Sequence, residues 1–277
     1  MKEKLSGKLL ALDVDGTLLD ASGDLRERTQ EALVAARNAG ATLTLATGRD
    51  WETVKQLLAV LPSVQYSVCT NGLEIFTNLG ERLVAQEIDL ELARNVVLKI
   101  RQRLPGVAIG AGIDGHLVGE PDISKALPIL PAGISSFPAK TVDDIMPALT
   151  MNTQDIVIYH GDYHFELEGL FNIVNEAVQE EGLDVVYSGL PMIEILPAGC
   201  GKDTGLSWLS SHLEIDQADV IAFGDGVNDL SMLRWAGVGV AMGQASLNVL
   251  GCADEVTLTN EEDGVAVWIE TQLEELH

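Results

Sequence analysis

Residues 9–17 read Leu9-Leu10-Ala11-Leu12-Asp13-Val14-Asp15-Gly16-Thr17, an apolar run that ends in two carboxylates and a glycine. The unbroken apolar residues predict a buried strand over 9–14. Residues two apart on a strand point to one side, so Asp13 and Asp15 converge at its end. Gly16 lets the chain turn sharply just after them. Two carboxylates held this close repel each other and are costly to bury unless a cation or a proton intervenes. The stretch therefore asks for a metal ion, a reaction, or both.

On either side of it, strand and helix signals alternate. A helix is predicted over 25–38, closed by Gly40, then a strand over 41–46. A helix over 51–61 follows, stopped by Pro62, and a strand over 66–69. The last third repeats the pattern, with helices over 204–212, 229–235 and 261–276 and strands over 219–223 and 238–241. Strands separated by helices of this length imply a parallel sheet with helical crossovers. The middle differs. A helix over 90–104, short strands over 107–112 and 116–119, and a Pro-rich irregular stretch over 121–138 come first. A strand over 155–159, a helix over 165–181 and a strand over 184–187 follow. The expected fold is α/β: a Rossmann-like parallel-sheet core formed by residues 1–82 and 189–277, with an inserted α+β domain over 83–188.

Composition narrows the class. The chain has 277 residues, enough for one large domain or two ordinary ones, and 47% are hydrophobic, enough for a well-formed core. Its charge is 17 − 42 = −25, which argues against nucleic acid or an anionic membrane as a partner. An anionic substrate needs a local positive site. Cys69, Cys200 and Cys252 lie far apart with no CxxC pair, which predicts reduced thiols rather than a disulfide framework. Neither a signal peptide nor an apolar run of the ~20 residues that span a bilayer is evident, so a soluble cytoplasmic protein is expected.

Four segments carry chemistry, and each falls at a predicted strand end or helix start, the edge where open parallel sheets bind ligands. The first is Asp13 to Thr17. The second is Thr47-Gly48-Arg49, whose hydroxyl and backbone amides at a helix entrance suit a phosphate oxygen. The third is Lys202; from residue 189 onward Lys202 and Arg234 are the only Lys or Arg, against 15 Asp and Glu, so a specific charge role is expected of it. The fourth is Gly224-Asp225-Gly226-Val227-Asn228-Asp229, with Asp225 at a strand end and Asn228 and Asp229 opening the next helix. Taken singly, these also read as a strand turn, a weak tripeptide, a solvated lysine and a calcium-type loop. Taken jointly, in this order and on matching strand ends, they read as one site.

In that order the segments resemble the four motifs of the haloacid dehalogenase superfamily of phosphohydrolases. The long insertion is similar, in position and size, to the type IIB cap of Cof-like and sucrose-phosphate-phosphatase-like sugar phosphatases, and mannosyl-phosphoglycerate phosphatases are similar too. Asn71-Gly72 matches a further family feature lining the site, while Asp203 departs from the small residue of many relatives. The resemblance implies an Mg²⁺-dependent phosphoric monoester hydrolase acting on a small phosphorylated metabolite, a sugar or polyol phosphate. In it Asp13 is the nucleophile that forms an aspartyl-phosphate, and Asp15 passes protons to the leaving alcohol and from water. Mg²⁺ is held by the Asp13 carboxylate, the Asp15 backbone carbonyl and Asp225. Thr47 and Lys202 hold the phosphoryl group, with Gly48, Arg49, Asn71, Gly72 and Asn228 around the substrate and Asp229 positioning Lys202 or water.

A phosphomutase of the same fold is the alternative, and a non-catalytic sugar-phosphate binding protein a third. The inserted domain holds 6 Lys and Arg against 16 Asp and Glu, which disfavours the bisphosphate a mutase must accept. A dehalogenase leaves Asp15 and Asp225 without a purpose. Trp51 is expected to pack, Cys200 to sit passively in a loop, and His160 and His164 to flank a turn rather than bind metal. His116 is a candidate for reaching the substrate from its loop.

Overall fold

The computed structural model describes residues 4–129, 140–187 and 190–274. It divides into two compact units, Met1–Val84 with Gly201–His277, and Ala85–Cys200. The divisions differ from those expected at 82/83 and 188/189, and the later one moves because Ile193–Pro197 belongs to the sheet of the second unit.

In chain order the first unit begins with β1 (Leu9–Leu12), α1 (Glu27–Asn38), β2 (Thr42–Ala46), α2 (Trp51–Leu58), β3 (Tyr66–Cys69), β4 (Glu74–Thr77) and β5 (Arg82–Ala85). The second unit holds α3 (Leu90–Arg103), β6 (Ala108–Ile113), β7 (His116–Gly119), β8 (Lys140–Thr141), β9 (Thr153–Tyr159), α4 (Leu167–Val178), β10 (Leu183–Tyr187) and β11 (Ile193–Pro197). The chain then completes the first unit with α5 (Lys202–His212), β12 (Val220–Gly224), α6 (Leu230–Trp235), β13 (Val238–Ala241), α7 (Leu247–Leu250), β14 (Glu255–Val256) and α8 (Gly264–Glu274).

The sheet of the first unit runs β14-β13-β12-β1-β2-β3-β4-β5. Strands from β14 to β3 are parallel, as expected of an α/β core. The β3–β4 pair is antiparallel, an addition to the parallel pattern that a turn at Thr70–Gly72 makes possible. β1 sits at the centre, with Leu9 opposite both Val220 and Thr42. Its side chains alternate between two buried layers. Leu10 and Leu12 pack with Leu33 and Ala36 of α1 and Val265 and Ile269 of α8. Ala11 packs with Leu206 and Leu209 of α5 and Met232 and Leu233 of α6. Each fully buried leucine contributes about 1.5–3 kcal/mol of transfer free energy. The same alternation directs the residue after the strand, because Asp13 continues the α5 side on which Ala11 lies.

The second unit is a six-stranded sheet, β10-β11-β9-β6-β7-β8, whose Ile109, Ile156, Ile158, Ile193 and Ile195 pack under α3 and α4. β11 is a strand that the sequence pattern does not reveal. It pairs antiparallel with β10 and β9, so its apolar residues are committed to this sheet and the unit extends to Cys200.

Most helices end short of the expected bounds, whereas α5 begins two residues earlier than expected, at Lys202. α2 stops at Leu58, and α4 spans Leu167–Val178 rather than 165–181. α8 begins at Gly264 because Asp263 takes a left-handed conformation (φ 57°) that ends the preceding turn. Of the Pro-rich stretch, Pro121–Ile129 forms a 3₁₀ helix and residues 130–139 lie outside the described residues, as do 188–189 and 275–276. No helix among the described residues is long and apolar enough to cross a membrane.

Candidate active site

Asp13 follows β1 directly and is buried, and its N–H donates to Phe223 O of the neighbouring β12 at 3.0 Å. Asp225 follows β12, so the two carboxylates leave adjacent strands side by side. Gly16 is required here twice over. Its φ of +83° suits glycine, and a Cβ on it would lie 2.4 Å from Asp225 Oδ2. The turn therefore closes onto the Asp225 carboxylate, to which Thr17 Oγ1 donates at 3.3 Å.

Lys202 opens α5, and its side chain is fully enclosed. Nζ donates to Asp13 Oδ1 and to Asp229 Oδ1, both at 2.6 Å. The other oxygen of Asp229 accepts from the backbone N–H groups of Asp225 at 3.0 Å and Gly226 at 2.8 Å. Asp229 thus fixes both the lysine and the loop that carries Asp225. Burial raises Asp13 well above the usual carboxylate range, Asp229 adds to this, Lys202 opposes it, and Asp225 adds a smaller push. Burial and then the Asp229 charge push Asp225 up to about 6, against weaker stabilisation from Thr17, Lys202 and Gln244. For Lys202, burial alone favours the neutral amine, but Asp13 and Asp229 outweigh it and hold the ammonium charged. Asp203 folds its carboxylate back toward Gly201, at the start of α5, where the helix dipole favours negative charge.

The loop after β2 places Thr47, which is buried, and Arg49. Thr47 Oγ1 accepts the Arg49 N–H at 3.1 Å, its carbonyl accepts Asn71 N–H at 3.0 Å, and its N–H donates to Val68 O at 2.9 Å. Arg49 forks onto both oxygens of Asp15, at 2.9 Å from Nε and 2.6 Å from a terminal nitrogen. Asn71 takes a left-handed conformation (φ 51°), tolerated best by Asn, Asp and Gly, and its Oδ1 accepts Asn228 Nδ2 at 3.4 Å. Gly72 has φ +103°, and a Cβ there would lie 2.1 Å from Gly201 O. The residue that precedes Lys202 is thereby pressed against the β3 turn.

The structure thus joins Asp13, Lys202, Asp225 and Asp229 directly, pairs Asp15 with Arg49, and links Thr47, Asn71 and Asn228 at the same sheet edge. Ligand oxygens of Asp13, Asp225 and Asp229 all lie within 4.8 Å of one another. Three carboxylates against one lysine leave a formal excess of 3 − 1 = 2 negative charges, and an all-oxygen donor set of that charge fits a hard divalent cation such as Mg²⁺. Asp229, expected only in support, is in this set, whereas the Asp15 side chain is engaged by Arg49.

Outside the site, Trp51 stacks on Phe76 with ring centroids 4.4 Å apart. His160 Nε2 lies 3.0 Å from Pro105 O, and His164 Nδ1 lies 3.3 Å from Tyr159 Oη, so both rings serve local structure. Cys200 donates to Gln86 Oε1, and burial pushes its thiol up to about 11. Gln244 is a contact that the motifs did not reveal. Its Nε2 donates to Gly16 O at 2.5 Å. The signal was positional, since it lies just past β13 at the same sheet edge.

Residues 10–269 match the model of a family described as haloacid dehalogenase-like hydrolase. A protein of Citrobacter koseri named HMP-PP phosphatase is 30% identical over 240 residues, 86% of this chain and 85% of its own length. The crystal structure of a haloacid dehalogenase-like hydrolase from Bacteroides thetaiotaomicron superposes with a TM-score of 0.80 at 28% identity, covering 95% of this chain and 98% of that one. A structure described as a HAD subclass IIB sugar phosphatase gives 0.79 at 23% identity, with coverage of 95% and 98%, a likeness of fold.

Proposed function

The chain belongs to the haloacid dehalogenase-like hydrolases, and from that premise we propose that it hydrolyses a small phosphorylated metabolite, a sugar or polyol phosphate, through an aspartyl-phosphate. The observation that carries this is Lys202 Nζ, enclosed and 2.6 Å from both Asp13 and Asp229. It opposes the effect of burial on the Asp13 carboxyl and fixes one of its oxygens at the sheet edge. The activities named for the C. koseri relative and for the subclass IIB structure support a small phosphate ester as substrate.

In the proposed reaction a carboxylate oxygen of Asp13 attacks phosphorus in line, and the ester P–O bond breaks. Asp15 gives its proton to the departing alkoxide. It then takes a proton from water, whose oxygen attacks the same phosphorus. The Asp13–phosphorus bond breaks, and phosphate and the free carboxylate are restored. Lys202 and the Thr47 hydroxyl meet charge on the phosphoryl oxygens, which grows in the transition state. The Arg49 fork occupies both Asp15 oxygens, so Asp15 releases at least one of these contacts to carry a proton. Mg²⁺ would be held by Asp13, Asp225 and Asp229, with the Asp15 carbonyl as a further donor, and supplies positive charge against which the phosphate binds.

Phosphate release across a panel of sugar, polyol, nucleotide and cofactor phosphates with Mg²⁺ tests the reading. Asp13→Asn is expected to lower turnover of the best substrate at least about a thousandfold and to abolish acid-stable label from ³²P-substrate. Near-normal turnover in that variant would sink the assignment, and recovery of an isomeric phosphate instead of free phosphate would convert it to a mutase.

A further inference from the structure

Gln244 lies on an exposed loop, yet each end of its amide is committed. Oε1 accepts the Asn260 N–H at 3.2 Å, which settles which end faces the site. Nε2 donates to Gly16 O at 2.5 Å. Gly16 is the residue on which the Asp225 carboxylate rests, with no room for a Cβ between them. Asn260 is anchored in turn, its Nδ2 donating to Leu19 O at 2.9 Å, so the loop after Gly16 and the segment before α8 are tied through these two amides.

We infer that Gln244 is a positioning residue of the cation site, holding the Gly16 turn and the Asp225 carboxylate in the arrangement that binds a divalent ion. This rests on the metal-assisted reaction proposed for the site. Asp225 is held from two sides. Thr17 takes Oδ1, while Gln244 fixes the turn that carries both Gly16 and Thr17. Without the amide, the Gly16 carbonyl loses its donor and the turn against which the Asp225 carboxylate rests is free to shift. Groups that orient a metal ligand without touching the ion typically govern affinity about 10–100-fold.

The test is direct Mn²⁺ binding, followed by the electron paramagnetic resonance of the free ion, on the intact protein and on Gln244→Met, which keeps length but not the donor. The Mn²⁺ dissociation constant is expected to rise at least about tenfold. The Mg²⁺ concentration for half-maximal phosphate release should rise in parallel, with KM for the ester at saturating Mg²⁺ within about twofold. Gln244→Asn keeps an amide and serves if the apolar side chain unsettles the loop; it should lose less than Gln244→Met. Unchanged Mn²⁺ affinity in the variants, with tight binding by the unaltered protein, overturns the role of Gln244 alone. Absence of Mn²⁺ binding by the unaltered protein overturns the metal reading and this inference together.

Discussion

Burial and the neighbouring Asp229 carboxylate push Asp225 up to about 6, and burial with the same neighbour raises Asp13. In the metal-free protein an ionised Asp225 therefore costs stability. The sign is set by proton binding. Between about pH 4 and 6 the folded chain binds more protons at this position than the unfolded chain, so its contribution falls as pH rises. The penalty is absent below the unfolded value and complete above the folded one, where it amounts to roughly 2–3 kcal/mol. Asp225→Asn is expected to match the unaltered protein in stability near pH 4 and to exceed it increasingly up to about pH 6.5 in chelator. Added Mg²⁺ should shrink or invert the gap, because the cation favours the carboxylate. Urea titrations across this range measure it, and a gap that does not change with pH contradicts the reading. Lys202 shows the complementary case. Its two carboxylate partners hold it charged inside the protein, and removal of the lysine leaves two buried carboxylates without their counter-charge.

At the scale of elements, the turn after β3 and the start of α5 are built as one piece. Gly72 and Gly201 meet so closely that a methyl group on Gly72 would sit 2.1 Å from a carbonyl oxygen, while a Cβ on Gly205 would meet Val68 Cγ1 at 2.6 Å. Gly72→Ala is expected to cost more than the about 1–2 kcal/mol of left-handed strain alone, and to lower turnover by displacing Lys202. Gly7, with φ +77° and nothing within 4 Å, supplies the control: Gly7→Ala should show the strain without the loss of turnover. Equal effects of the two substitutions on turnover would contradict this. These elements also show how far the sequence could be read. β3 and β13 were legible to the residue, because each is a short apolar or aromatic run with turn residues on both sides. β4 and β11 were not. Glu74-Ile75-Phe76-Thr77 is too short to reveal its period, and Ile193-Glu194-Ile195-Leu196 suits either sheet until its partners are known. The residues of the four motifs were legible because strand ends concentrate them at one edge. The Arg49–Asp15 fork and the Gln244 contact were not, since both depend on side-chain directions across loops that the pattern of apolar residues does not constrain.

For the whole molecule, binding of a cation at one unit gives a thermodynamic signature that needs no substrate. At a Mg²⁺ concentration a hundredfold above its dissociation constant, the first unit gains about 2.7 kcal/mol. For a unit of this size that corresponds to a rise in melting temperature of about 5–10 °C. Calorimetry with Mg²⁺, and with chelator as reference, checks this; identical melting in both would speak against a cation site. The chain's charge of −25 also bears on the solution behaviour of the protein, since dense like charge opposes self-association.

The central place of β1 in its sheet has a consequence for biosynthesis. Its partner β2 leaves the ribosome soon after it, but its other partner, β12, begins at Val220, on the far side of the entire second unit. At about 5–20 residues per second, roughly 10–40 s separate the two strands. During that interval the most buried strand of the finished protein is a sheet border, with open hydrogen-bonding groups and a row of leucines, the kind of surface that recruits foreign chains. Its brevity, four residues, limits the exposure. Asp13 likewise waits for Lys202 and Asp225, so the proposed site is incomplete until the last quarter of the chain has been made.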